Sequence, residues 1–423
     1  MNKVTRQEKL EQIINGSQEP IGRRTIRFRG ESKEMDVYEI PINFLIYNKY
    51  NGRILSRTKT LETQGVTIDP ETVEGKELVE RLLWDSKEEK NRRTERDLEK
   101  YGQQEPGIVT LDGIIVDGNR RAMLLNRIKA THFRAVILDV RLEDDQKEIE
   151  RLETTYQMGA DEKQDYNPIE KYLKINEMYN LGFSYDEIAE CMGEKQGQIE
   201  KNHKIYQTMV EYLQHIKCDG IFTALDGRED PLINLTDWRE KYAGGTSSTG
   251  FDGYSDADVD DMTLIAFDYI RYMKAKPNTD DGGPDGKAFR MIAGGNAGKN
   301  FFSDEGVWSG FRDRHFENVQ PITDNEPGME KTSLDIEKEV KSRDADWARM
   351  VDSCMKENWG RTTEMLSLHQ DKDRPGELLE RAYNALASID LDSPHLSIYM
   401  IDIVKNINQK SYELKKKLEK MKD

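Results

Sequence analysis

One stretch constrains the fold more than any other: IVDGNRRAMLLNRI, from Ile115 to Ile128. An apolar, strand-like run, Gly113-Ile114-Ile115-Val116, meets an Asp-Gly turn, and an apolar-periodic helix starts at once. The turn also carries a contradiction. Arg120 and Arg121 stand at the start of that helix, where the macrodipole disfavours cations. Either an anion comes between them and the backbone amides, or one arginine pairs with a carboxylate such as Asp117 or Asp139 while the other lies in solvent.

Composition narrows what that anion is part of. With 423 residues, 36% of them hydrophobic, the chain is expected to hold roughly two or three domains. The net charge of −17 repels DNA, RNA and anionic membranes in bulk, so any nucleic-acid contact needs a local basic surface. Cys191, Cys218 and Cys354 lie far apart, and the six histidines show no zinc spacing, which argues against a disulfide scaffold and a zinc module. MNKVTRQEKLEQII reads as an exposed helix rather than a signal peptide, and no apolar run is long enough to span a bilayer. The expected setting is a reducing, cytoplasmic one with no membrane.

Strand signals lie at Tyr38 to Ile42 and Phe44 to Ile46, then at Ile108 to Thr110, Ile114 to Val116 and Ala135 to Leu138. Between them, Ser86 to Lys100 carries six basic and five acidic residues with Leu98 as its only large apolar side chain. It reads as a solvated helix or a mobile insertion. From Asn167 to Ile216 the pattern turns helical. Pro168 suits a first turn, Ser184-Tyr185-Asp186-Glu187 is a capping box, and Gly193 turns the chain into a helix over Glu194 to Tyr206. That is the plan of a helix-turn-helix and equally of a small three-helix bundle.

Ala243 to Asp261 reads as a linker or long loop, and Met262 to Met273 as a helix. Asp280 to Lys299 is again glycine-rich, and its GGNAGKN lacks both the Gly-Lys-Ser/Thr ending and the leading strand of a phosphate loop. The remainder reads as helical, with Trp347, Trp359, Leu378, Leu379, Tyr383 and Leu386 as expected core. Met400, Val404, Ile407, Ser411, Leu414, Leu418 and Met421 form a short heptad seam, which either joins two chains or folds back on one.

The order of these features is informative. Ile40-Pro41-Ile42, Asn51-Gly52-Arg53, the run from Gly102 to Pro106, Val109, Asp117-Gly118-Asn119-Arg120-Arg121 and Asn167-Pro168-Ile169-Glu170 follow one another ahead of the helical unit. The series resembles the ParB family of chromosome and plasmid partition proteins, over roughly residues 38 to 216. The resemblance implies a ParB/sulfiredoxin-like α/β domain followed by a helix-turn-helix, and with the helical pattern of the remainder and its terminal seam the expected fold is an α+β protein with a mostly helical C-terminal region ending in a short coiled coil. The expected layout is an N-terminal helix and arm (1–37) outside the resemblance, a nucleotide-sensing domain (38–150), the helix-turn-helix (151–216), and then, read from the residue pattern alone, a linker and glycine-rich region (217–300) and the helical remainder (301–423).

In the family the Gly-x-Arg-Arg element cradles the triphosphate of CTP. Carried over, Gly118, Asn119, Arg120 and Arg121, with Arg53, would hold CTP or another NTP. Glu153 would contribute to that site and ligate its Mg²⁺. The family's Glu-Asn-x-x-Arg motif keeps only this glutamate here, and extra residues, Met158 to Tyr166, separate it from Asn167. In the helix-turn-helix, the family's common Ser-Arg pair is replaced by Lys195-Gln196, followed by Gln198, Lys201, His203 and Lys204. Glutamine pairs with adenine and lysine with phosphate, so these six are the expected contacts to double-stranded DNA. The expected protein binds DNA in partition or in a mobile-element or defence system, beside a partner ATPase or defence proteins, and the terminal seam predicts a homodimer. The alternatives are an enzyme on the same fold, a slow CTPase or a nuclease, and an interaction protein with a degenerate pocket. Sulfiredoxin chemistry is not expected, because Asn119 stands where that enzyme has its cysteine.

Overall fold

The computed structural model describes residues 2–158, 167–276, 286–329, 335–371 and 374–421. The chain divides into two compact units, Met1–Thr362 and Thr363–Asp423. The first opens with α1 (Lys3–Gln12), which buries Arg6 and Leu10 and is not the exposed helix its composition predicts. Leu10 and Ile13, one helical turn apart, join the core, and Arg6 Nε donates to the Asp112 carbonyl at 2.7 Å.

Strands β1 (Gly22–Phe28) and β2 (Glu31–Pro41) form a hairpin, so the sheet begins inside the segment read as an arm. Helices α2 (Leu55–Thr63), α3 (Val73–Ser86) and α4 (Glu88–Tyr101) follow, then β3 (Gly107–Val109), β4 (Ile115–Asp117), α5 (Asn119–Arg127) and β5 (His132–Ile137). The sheet order is β1-β2-β5-β3-β4, with β3 and β5 parallel and the other pairs antiparallel. Phe44 to Ile46 contributes only an isolated bridge, Ile46 to Ile114. Alternation sets the two faces. Phe133, Ala135 and Ile137 of β5 face a core with Met123 and Leu124 of α5. Val136 and Leu138 face the opposite one, closed by Ile149 and Leu152 of α6 (Gln146–Met158).

The charged stretch after Ser86 is α4, and it packs against α5. Its buried residues are Asn91 and Leu98. Asn91 Nδ2 donates to the carbonyls of Leu83 at 3.0 Å and Trp84 at 2.7 Å, stitching α4 to the end of α3.

Helices α7 (Pro168–Asn180), α8 (Tyr185–Met192) and α9 (Gln196–His215) come next. Asn167 caps α7, the Ser184/Glu187 capping box opens α8, and Gly193 ends it in the left-handed region at φ 61°. Met158, Ile175, Met178, Phe183, Ile188 and Ile199 share one small core. α9 runs on past Tyr206 because Met209, Tyr212 and Leu213 continue its apolar face. That face meets α10 (Glu229–Tyr242) and α11 (Asp256–Ala275). Residues 159–166, which hold most of the extra segment before Asn167, lie outside the described residues.

The loop read as a linker is pinned. Phe251 and Tyr254 are buried, with ring centroids 5.4 Å and 5.3 Å from Phe302. A short 3-10 turn, Ala288–Met291, precedes GGNAGKN. Helices α12 (Glu305–Asn318), α13 (Gln320–Asn325) and α14 (Ile336–Gln370) complete the helical part, with Trp347 and Trp359 buried as expected. α15 (Pro375–Ala387) and α16 (Met400–Glu419) behave differently: neither has a buried residue. Leu379, Tyr383 and Leu386, expected in a core, are exposed, as are Val404, Ile407, Leu414, Leu418 and Met421 of the seam. Both helices are amphipathic, and among the described residues of their own unit these apolar side chains stay exposed.

Candidate anion site

β4 ends at Asp117, and Gly118 takes φ 102° as the residue before α5. A Cβ there would come within 2.8 Å of Phe133 Cζ, so turn and packing both require glycine. No side chain caps α5, and the amides of a helix's first turn attract anions.

The polar residues of this turn diverge. Asn119 is buried and acts as a pin: its Nδ2 donates to the Ile115 carbonyl at 2.9 Å, and its Oδ1 accepts from the Asn48 N–H at 2.9 Å. Arg121 takes the carboxylate pairing, with one amino group 3.0 Å from Asp117 Oδ2 and the other donating to the Glu105 carbonyl at 2.7 Å. Arg24 approaches the same Asp117 oxygen at 3.1 Å. Arg120 instead leans toward α4, its Nε donating to Asn91 Oδ1 at 2.6 Å.

Around Arg120 the cations gather. Partial desolvation, followed by the charges of Lys87, Arg120 and Arg53, draws the Lys90 ammonium below its ordinary value. Arg53 reaches this group from the Asn48–Arg53 loop, whose bend is held by Asn51 Oδ1 accepting from the Arg53 N–H at 3.2 Å. Lys87 and Lys90 are absent from the set inferred from the sequence. Their only sequence signal is a place in a charged run, and nothing local says that the run packs beside Arg120.

Glu153 lies beneath the same loop and is buried. Its carboxylate accepts from Asn48 Nδ2 at 3.0 Å, Gln157 Nε2 at 2.8 Å and Asn51 Nδ2 at 3.4 Å, and stands 3.1 Å from the Lys174 ammonium. Burial pushes the Glu153 carboxyl up to about 7, against the pull of Lys174. For Lys174 burial opposes the charge, but Glu150 and Glu153 outweigh it and hold the ammonium protonated. A carboxylate already served by four N–H donors does not fit the role of a Mg²⁺ ligand, which needs oxygen donors on the metal. Glu170, from Asn-Pro-Ile-Glu, is also structural: it accepts from the Ser56 N–H at 2.9 Å and Ser56 Oγ at 2.6 Å. Burial raises it to about 7.

The expected DNA contacts divide along α9. Lys195, Gln196 and Gln198 are exposed at its start, with Gln196 donating to Glu200 and Gln198 to Asn202. Lys201 pairs with Asp237 at 2.7 Å and Lys204 with Glu240 at 2.5 Å, both on α10. His203 is buried, with Nδ1 2.8 Å from the Tyr185 hydroxyl. Elsewhere, a cleft of about 520 Å³ opens between the β1–β2 hairpin, α6 and α8, lined by Arg27, Arg29, Lys147, Arg151 and four carboxylates. Its charges pair with one another, as in Arg27 to Glu190 at 2.8 Å and Arg151 to Glu187 at 2.9 Å.

No family model matches the chain, and the search of curated proteins found no match. Among solved structures, a Pnob8-like ParB-N domain aligns over 76% of this chain and 98% of that one, at 13% identity and a TM-score of 0.26. A likeness that slight carries nothing about the site. Among the described residues, no helix is long and apolar enough to cross a membrane.

Proposed function

We infer that the protein is a ParB-like DNA-binding protein whose α/β domain holds a nucleoside triphosphate, CTP favoured, at the start of α5. The observation that carries this reading is the start of α5, opened by Gly118 at φ 102° with no side chain capping it and with Arg120 in its first turn, near enough to Lys90 that the charges of Lys87, Arg120 and Arg53 act on that ammonium. A triphosphate would accept from the first-turn amides and from the guanidinium N–H groups together. The motif order shared with the partition family supports CTP among the candidates. Calorimetric titration of the full chain with each of the four NTPs tests it: heat with CTP is expected, and silence with all four overturns the reading.

The DNA surface on this reading is the start of α9, where Lys195, Gln196 and Gln198 stand exposed. The working unit is a dimer joined through the apolar seam of α16, since a lone helix of that length is marginal in water. Two copies would address a palindromic site in partition or in a mobile-element or defence system, with a partner ATPase or defence proteins. Light scattering on the full chain and on a chain ending at Ser393 is expected to show a dimer and a monomer; a dimer in both, or a monomer in both, removes this role from the seam.

A further inference from the structure

A second inference rests on the nucleotide reading and specifies its chemistry. Nucleotide sites commonly use one or two carboxylates to hold the divalent cation that neutralises phosphate charge. Here the carboxylates already share a cation. Lys174 Nζ lies 2.5 Å from Glu150 Oε1 and 3.1 Å from Glu153 Oε2, and its side chain is 1% exposed. Asn48, Asn51 and Gln157 turn their N–H groups toward Glu153, the arrangement of a satisfied anion rather than of a metal ligand.

We propose that the Lys174 ammonium stands where a divalent cation would stand, between Glu150 and Glu153, and that this chain binds its phosphate ligand without Mg²⁺. The lysine also acts on the site through a short hydrogen-bonded path. Glu153 holds Asn48 by its side chain, and the Asn48 N–H is held by Asn119 Oδ1 in the first turn of α5. Lys174 is therefore a positioning residue. From α7, it fixes the charge and place of Glu153 and so the loop that carries Arg53.

Two titrations of the full chain test this. The first uses MnCl₂ alone and reads thermal stability. No stabilisation that depends on Glu153 is expected, whereas a rise in Tm that Glu153→Gln abolishes overturns the assignment. The second uses CTP in EDTA and in excess MgCl₂. Affinities within about threefold of each other are expected, and a tightening of about tenfold or more with Mg²⁺ overturns it. Silence with CTP in both conditions defeats the nucleotide reading instead, and the MnCl₂ titration still decides the role of Lys174. Lys174→Met adds a gain of function, because the freed carboxylates should make the variant's Tm respond to Mn²⁺. A folded variant indifferent to Mn²⁺ contradicts the claim, and if the variant fails to fold the two wild-type titrations stand by themselves.

Discussion

The starts of α5 and α9 look alike in sequence and differ in structure. Each follows a glycine in the left-handed region, Gly118 or Gly193, and each carries cations within its first turns. At α5 the neighbouring helix α4 brings Lys90, with Lys87 just before it, and the charges of Lys87, Arg120 and Arg53 act on the Lys90 ammonium. At α9 the neighbouring helix α10 brings Asp237 and Glu240, and Lys201 and Lys204 are neutralised in place. The helix packed beside a cationic helix start thus decides which charges it meets. In a chain of net charge −17, a helix start that brings cations close together is the place proposed for an anion.

The largest effect belongs to the support under the α5 side. Lys174→Met strands Glu150 and Glu153 in the interior and should cost about 3–5 kcal/mol in a denaturant titration. A loss below ~1 kcal/mol would mean that the pair does not hold the loop. Next is the pH dependence of Glu170. Its folded pKa is about 7 against an ordinary 4.5, so the folded state keeps this proton longer than the unfolded chain does. Its contribution therefore falls as pH rises from about 4.5 to 7, by on the order of 3 kcal/mol, and is fully lost above that. Glu170→Gln cannot ionise and should reduce the slope across this window, leaving the part that belongs to Glu153, also raised to about 7; an unchanged profile would show that the group titrates elsewhere.

Arg120→Ala should weaken nucleotide binding by about 1.5–3 kcal/mol, as for a hydrogen bond to a charged group, while Arg121→Ala, which removes the partner of Asp117, should lose less. The reverse order in calorimetry would move the site to the other side of the turn. The smallest effect is expected at α9. Breaking Lys201 to Asp237 or Lys204 to Glu240 should cost about 0–1 kcal/mol of stability, since exposed ion pairs contribute little. A larger loss would make α10 a structural clamp on α9.

The local features were legible in the sequence because their causes are local. Asn167, the Ser184/Glu187 box and Gly193 end or open helices by bonding within a few residues, and the strand-turn-helix at Gly118 follows from one glycine and two apolar runs. Pairings across the chain were not legible. That Arg121 meets Asp117 was one of two open readings. That Arg120 meets Asn91, or Glu153 meets Lys174, depends on how α4 and α7 pack, and no spacing encodes it. The same reason hides the burial of Arg6 in a helix that looks exposed. It also explains α15 and α16, whose apolar spacing reads as core although their own unit covers neither face.

The central claim is that the cations around Arg120, and not those of α9, form the triphosphate site. One calorimetric series tests it: CTP titrated into the wild-type chain, Arg120→Ala, and the Lys201→Ala/Lys204→Ala double variant. The account predicts binding by the wild type and the double variant with equal affinity and at least tenfold weaker binding by Arg120→Ala. Equal affinity for Arg120→Ala and the wild type, or loss confined to the double variant, would contradict it.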